Sequence, residues 1–330
     1  MFRPGTRNLI TDVPGLCVGH ATDERVRSGA TVVLCGADWP AAVDVRGGGP
    51  GTRETDALSP ENLIGRAHAL VMAGGSVFGL GAADGVTSIL SARGIGLKLR
   101  AGSPPIPIVP AAVLHDLGNG GDKDWGLEPP YRDLGSRALA AAAADFALGS
   151  IGAGRGAMAG LVKGGIGSAS LALEDGLVVG ALVALNSVGS ALMPDGSTYW
   201  AWPFALDAEF GGGPPPRAPQ DTGDPAPAQS RLLDIGRLQA GANTTLGVVA
   251  ATADLSSVEC KRVAMMAHDG IARGVRPAHT PFDGDTIFAV ASGSIALGAG
   301  QERASQVARI GSAAADCLTR AIARAVYHAR

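Results

Sequence analysis

Two uninterrupted apolar runs constrain the fold most. GLVVGALVALNS at 176–187, the longest apolar run, and the run at 245–251 in GANTTLGVVAATA are short and free of charge. Such runs read as strands covered on both faces, and the first as a central strand. Between them, residues 211–229 read GGGPPPRAPQDTGDPAPAQ. That segment has almost no apolar side chains and reads as an exposed loop or flexible linker. The strand after it is as hydrophobic as those before it. The linker therefore need not divide domains, and a length of 330 residues fits one large domain or two ordinary ones.

Other segments alternate between strand and helix patterns. ATVVLC at 30–35, AAVDV at 41–45 and ALVMA at 69–73 read as strands, the last ending at Gly74-Gly75. Residues 76–90 read as a helix with Val77, Leu80, Ala83 and Val86 on one side. Prolines demote 106–114 to an edge or irregular strand. An Ala-rich helix is expected over 133–148, stopped by Gly149. Ser256 and Glu259 form a capping box for a helix to about Ala272. A turn and strand follow in HTPFDGDTIFAVAS, and a last helix is expected from about Ser312. Two sheet layers covered by helices suit this α/β order.

Composition removes several function classes. Lys and Arg number 27 against 30 Asp and Glu, giving a net charge of −3, too small to argue for nucleic acid or a membrane surface. No apolar run reaches the roughly 20 residues of a membrane helix. The start MFRPGTRNLITDVPG lacks a signal-peptide core. Cys17, Cys35, Cys260 and Cys317 form no CxxC pair and read as small buried hydrophobes, which suits a cytoplasmic setting.

Asn243-Thr244-Thr245 stands where the linker gives way to the strand. The dipeptide alone reads as a polar turn. A Thr at the first position of a core strand is also a rigidly held hydroxyl that lacks a base. Cleavage before Thr244 would supply one, an α-amine with an ordinary pKa of about 7.7–8.0. Asp283-Gly284-Asp285 leads into the next strand, where alternation would put both carboxylates on one side. Such a pair can share a proton or orient an amine and a hydroxyl, or it can simply form a turn.

Lys163, flanked by glycines in GLVKGGIGS, can bring its ammonium near a site or be a surface lysine. Asn186 ends the apolar run, where its amide caps the strand or meets an oxyanion. The loops 46–56 and 74–76 are Gly-rich but match neither a dinucleotide fingerprint nor a Walker loop. They read as tight turns or anion-binding amides. Of the six histidines, His279 lies nearest the Asp pair.

Taken together, ITDVPGLCVGHATD, AAVDVRGGGPGTRETD, VMAGGSVFGLGAADGV, KGGIGSAS, NTTLGVVAATAD, CKRVAMMAHDGIAR and RPAHTPFDGDTIFA resemble the P1-family peptidases. That group includes the L-aminopeptidase/D-esterase and the β-aminopeptidases, whose members generally carry a Ser nucleophile. Thr244 after Asn243, with Asp-Gly-Asp further on, is most similar to the nylon-oligomer hydrolases acting on linear 6-aminohexanoate oligomers.

The resemblance implies a single hydrolase domain, a four-layer αββα sandwich analogous to N-terminal-nucleophile hydrolases but differently connected. It implies cleavage into an α chain, 1–243, and a β chain, 244–330, that stay together and assemble as a tetramer of heterodimers. Thr244 would be nucleophile and amine base, and Asp283 and Asp285 would orient and tune it. Lys163 and Asn186 would assist processing and oxyanion stabilisation. No metal or organic cofactor is implied. Alternatives are an aminopeptidase on small natural or β-amino-acid peptides, an acyltransferase similar to ornithine acetyltransferase, and a binding or shell protein that is never processed.

Overall fold

The structure, a computed structural model, describes residues 3–173, 176–211, 226–227, 229–233 and 243–330. Most of the 211–229 linker lies outside the described residues.

The strands are β1 (Cys17–Asp23), β2 (Ser28–Val45), β3 (Gly51–Arg53), β4 (Arg66–Ala73), β5 (Ala111–Val113), β6 (Met158–Ala159), β7 (Val162–Lys163), β8 (Gly165–Ala172), β9 (Val178–Asn186), β10 (Thr244–Ala253) and β11 (Thr286–Ile295). The helices are α1 (Ala82–Ala92), α2 (Tyr131–Ala140), α3 (Ser257–Gly274) and α4 (Gly300–Ala329). Hydrogen bonding links the strands in the order β3-β5-β4-β2-β11-β10-β9-β8, with β1 on β2.

β2 is the hinge between two layers. Residues 30–35 and 41–45, expected as two strands, lie on one strand of 18 residues. Its first half pairs with β1 and β4, and its last residues pair with β11. An irregularity between Leu34 and Trp39 lets the strand pass from one sheet to the other.

Side-chain alternation then builds four layers. Val33, Leu70 and Met72 of one sheet meet Leu182, Leu246, Val248 and Phe288 of the other. The opposite face of the β9–β11 sheet carries Val183, Val249, Ile287 and Ala289 against Ile271, Leu318 and Ile322 of α3 and α4. On the far side, Val32, Ala69 and Val71 pack on Val86, Leu90, Leu134 and Ala138 of α1 and α2. The architecture is an αββα sandwich, in which the 176–187 and 245–251 runs are central strands buried on both faces.

The structure corrects three expectations about the helices. α2 stops at Ala140 because Ala143 leaves the helix to pair with Val18. α4 starts at Gly300, not Ser312; its first turns are mostly polar and exposed, so they carry little apolar periodicity. Val77 is 65 % exposed rather than packed with Ala83 and Val86.

β10 runs antiparallel to β9 with Thr244 opposite Asn186, and parallel to β11 with Leu246 opposite Thr286. The start of β10, the end of β9 and the turn before β11 therefore meet at one end of the sheet.

Candidate active site

Asn243, Thr244, Asn186, Asp283 and Asp285 are each no more than 2 % exposed. The Thr244 hydroxyl donates to the carbonyl oxygen of Asn243. The same oxygen accepts the backbone N–H of Gly284 at 2.8 Å. A parallel bridge between Asn243 and Asp283 sets this register.

The two carboxylates lie in the turn, ahead of β11, not within the strand. Asp283 Oδ1 accepts Val188 N at 3.1 Å, and Oδ2 accepts Thr280 N and Oγ1 at 3.1 and 2.6 Å. Burial, then the neighbouring Asp285 charge, push its pKa up to about 6. Asp285 Oδ1 accepts Thr245 N at 2.7 Å, pinning the start of β10. Its Oδ2 accepts His279 N at 3.1 Å and contacts His279 Nδ1 at 2.7 Å. No hydrogen bond joins Thr244 Oγ1 to either carboxylate among the described residues.

Asn186 and Lys163 are brought together through one strand. Met158 of β6 donates its N–H to Asn186 Oδ1 at 3.0 Å, and Met158 pairs with Lys163 of β7. The Asn186 amide donates to His115 O at 3.0 Å. Burial, with Arg27 and Arg155 nearby, lowers the Lys163 pKa, easing release of its proton.

The Gly-rich loop after β2 is a backbone-packing device. A Cβ on Gly47 would fall 2.3 Å from Asp285 N, and one on Gly48 would fall 2.7 Å from the Pro281 Cα. Only glycine lets this loop lie on the Asp-Gly-Asp turn, where Gly49 N donates to Asp283 O at 2.8 Å and Arg46 N to Asp285 O at 3.0 Å. Gly284 has equally little room: a Cβ there would lie 2.8 Å from both Gly49 O and Thr244 Oγ1.

Beside this stack opens a cleft of about 510 Å³, bounded by Gly49, Pro50, Thr52, Ser76, Val77 and His115. The 74–76 turn forms one wall, with Gly75 and Ser76 both at positive φ. Asp116, buried below it, accepts Gly75 N at 2.8 Å. Val188 and Thr280 on Asp283, and Arg231 on the Asn243 side-chain oxygen, join the site without having been expected there. Only Thr280 carries a local signal, being within the HTPFDGDT segment.

The same chain is recognisable among known proteins. The model of peptidase family S58 matches residues 8–330. The chain belongs to peptidase family S58. An uncharacterized aminopeptidase of Mycobacterium bovis is 43 % identical, covering 98 % of this chain and 94 % of its own. A 6-aminohexanoate-oligomer endohydrolase of Kocuria sp. is 33 % identical over 89 % of this chain and 77 % of its own. Among solved structures, a Burkholderia β-aminopeptidase superposes with TM-score 0.70 at 24 % identity, covering 98 % of this chain and 88 % of its own. The L-aminopeptidase D-Ala-esterase/amidase of Ochrobactrum anthropi, described as a variant of the Ntn hydrolase fold, superposes with TM-score 0.68 at 22 % identity, covering 98 % and 86 %. The S58 relationship makes this chain a hydrolase of amide bonds.

Proposed function

We propose that the chain cuts itself between Asn243 and Thr244 and then hydrolyses small linear amides, 6-aminohexanoate oligomers among them, through an ester on Thr244. One observation carries this reading. The Asn243 carbonyl oxygen is held between the Thr244 hydroxyl and the Gly284 N–H, a donor aimed where negative charge would develop.

In self-cleavage, the Thr244 oxygen loses its proton and bonds to the Asn243 carbonyl carbon. The C–N bond then breaks, the nitrogen takes up a proton, and an ester remains. Water splits the ester, leaving a carboxyl group on Asn243, a free hydroxyl and a free α-amine on Thr244. In the mature enzyme that amine takes the hydroxyl proton as Thr244 attacks a substrate amide. The substrate amine leaves with a proton, and water releases the acyl group. Asp283 and Asp285 hold the amine and the strand start in place, and Asn186 and Lys163 support the oxyanion and proton movement.

The two resulting chains, 1–243 and 244–330, remain joined by the shared core of β9, β10 and β11, and assemble as a tetramer of heterodimers. The free cysteines, three of them buried, fit the cytoplasm. A second reading, an aminopeptidase on small natural or β-amino-acid peptides, is favoured by the aminopeptidase name of the 43 %-identical relative. An acyltransferase would differ in resolving the ester with an amine instead of water.

The test is release of new amino groups from linear 6-aminohexanoate oligomers and from small peptides, each with and without an added amine acceptor. Oligomer hydrolysis independent of the acceptor supports the first reading. Cleavage of peptides alone supports the second, and acceptor-dependent product supports transfer. No turnover of any amide would remove the proposal.

A further inference from the structure

Arg231 has a placement that the hydrolytic chemistry does not explain. Its backbone N–H donates to Val188 O at 2.9 Å. Its Nε donates to Gly160 O at 3.0 Å, and its Nη1 donates to the Asn243 side-chain oxygen at 2.7 Å. The short segment around it is docked as well, since Leu161 N donates to Gln229 O at 3.1 Å. Gly160, at φ +58, permits that approach, because a Cβ there would lie 2.2 Å from Gln229 O.

A half-buried guanidinium needs acceptors, and the charge of Asp283 attracts it as well. One acceptor, the Gly160 carbonyl, is a fixed part of the main chain. The other is the side chain of the residue whose carbonyl would be attacked. A charge-assisted bond to an amide oxygen is stronger than a neutral one and holds a planar geometry.

We infer that Arg231 is a positioning residue for self-cleavage: it clamps the Asn243 side chain so that the adjoining carbonyl stays on the Gly284 N–H, within reach of Thr244. The inference rests on the self-cleavage reading above. Asn243 is then held at both ends, by Arg231 through its side chain and by Gly284 through its main chain. Loss of the first clamp lets the carbonyl rotate off its donor. The attack geometry is lost although Thr244, Asp283 and Asp285 are untouched.

The experiment follows cleavage over time by intact mass in freshly purified wild type, Arg231→Met, Arg231→Lys, Asn243→Ala and the Arg231→Met/Asn243→Ala double variant. Met preserves much of the volume and supplies no donor, whereas Lys keeps one cationic donor. Cleavage should slow on the order of 10-fold in Arg231→Met, the loss of about one good hydrogen bond's worth of alignment. Arg231→Lys should stay within about threefold of wild type, a rescue that filling space alone would not give. The double variant should be no slower than the slower single, because each removes the same contact.

Wild-type rates in Arg231→Met, equal slowing in Met and Lys, or additive slowing in the double variant would each overturn the inference. Should Arg231→Met fail to fold, Asn243→Ala probes the contact from the other side, and wild-type cleavage there also overturns it. A wild-type chain that never cuts itself removes the self-cleavage reading first, and this inference with it.

Discussion

The backbone N–H of Gly284 lies 2.8 Å from the carbonyl oxygen of Asn243, 41 residues earlier in sequence. The contact joins the two motifs that alone would each read as a turn. It also assigns the middle residue of Asp-Gly-Asp a role: its N–H faces the carbonyl, and its missing side chain leaves room for Thr244 Oγ1.

Gly284→Ala tests that role. The added methyl would come 2.8 Å from Thr244 Oγ1 and from Gly49 O, so the turn or the Thr244 hydroxyl must move. Self-cleavage should slow on the order of 100-fold, the size of effect found when an oxyanion loses a donor. A time course of chain cleavage on denaturing gels measures it.

Asp283 should give opposite pH trends in stability and in activity. Burial first, then the Asp285 charge, raise its folded pKa from 3.8 to about 6. Between those values the folded carboxyl keeps its proton and the unfolded one has lost it. Stability from this group is therefore present at low pH and lost as pH rises toward about 6. The melting temperature of wild type relative to Asp283→Asn should fall from about pH 4 to about pH 6.5. Hydrolysis should instead rise through about pH 6 as the carboxylate forms, and Asp283→Asn should lower turnover by about 100-fold. A flat difference in melting temperature would show that the residue does not titrate in this range.

Asn186→Ala strands two backbone groups, Met158 N and His115 O, at the end of β9. Leaving them without partners costs about 1–3 kcal/mol. Because Met158 also positions Lys163, cleavage should slow about 10-fold, corresponding to roughly 1.4 kcal/mol at the barrier. Urea denaturation of the Thr244→Ala background, expected to stay uncut, with and without Asn186→Ala, measures the first quantity, and intact mass in time measures the second.

Phe288 is fully buried between the two sheets. Phe288→Ala should cost about 3–5 kcal/mol through lost burial and the cavity left behind. Its neighbours Ile287 and Ala289 face α3 and α4. An exposed position such as Val258 provides the control in the same denaturation experiment, with little change expected on substitution by Ala.

The parts of the fold legible in the sequence are those written by adjacent residues. β9 and β10 announce themselves because both faces are buried, and α3 because its capping box is local. β2 reads as two strands because GADWP, at its irregularity, interrupts the apolar pattern where the strand changes sheet. Asn243-Thr244 and Asp-Gly-Asp are visible as motifs, but their meeting depends on the pairing of β10 with β11. Two partners of the carboxylates are hidden for the same reason: Val188 lies 95 residues from Asp283 and Thr245 lies 40 from Asp285, whereas Thr280 and His279 stand in the same segment. Gly47 and Gly48 look like an ordinary flexible turn until the turn they pack against is in place.

The most direct test is the intact mass of freshly purified, active wild-type protein beside Thr244→Ala. Wild type should resolve into two chains, 1–243 and 244–330, with activity growing in step with the cut, and Thr244→Ala should remain one inactive chain. Fully active protein with the Asn243–Thr244 bond whole would contradict the account.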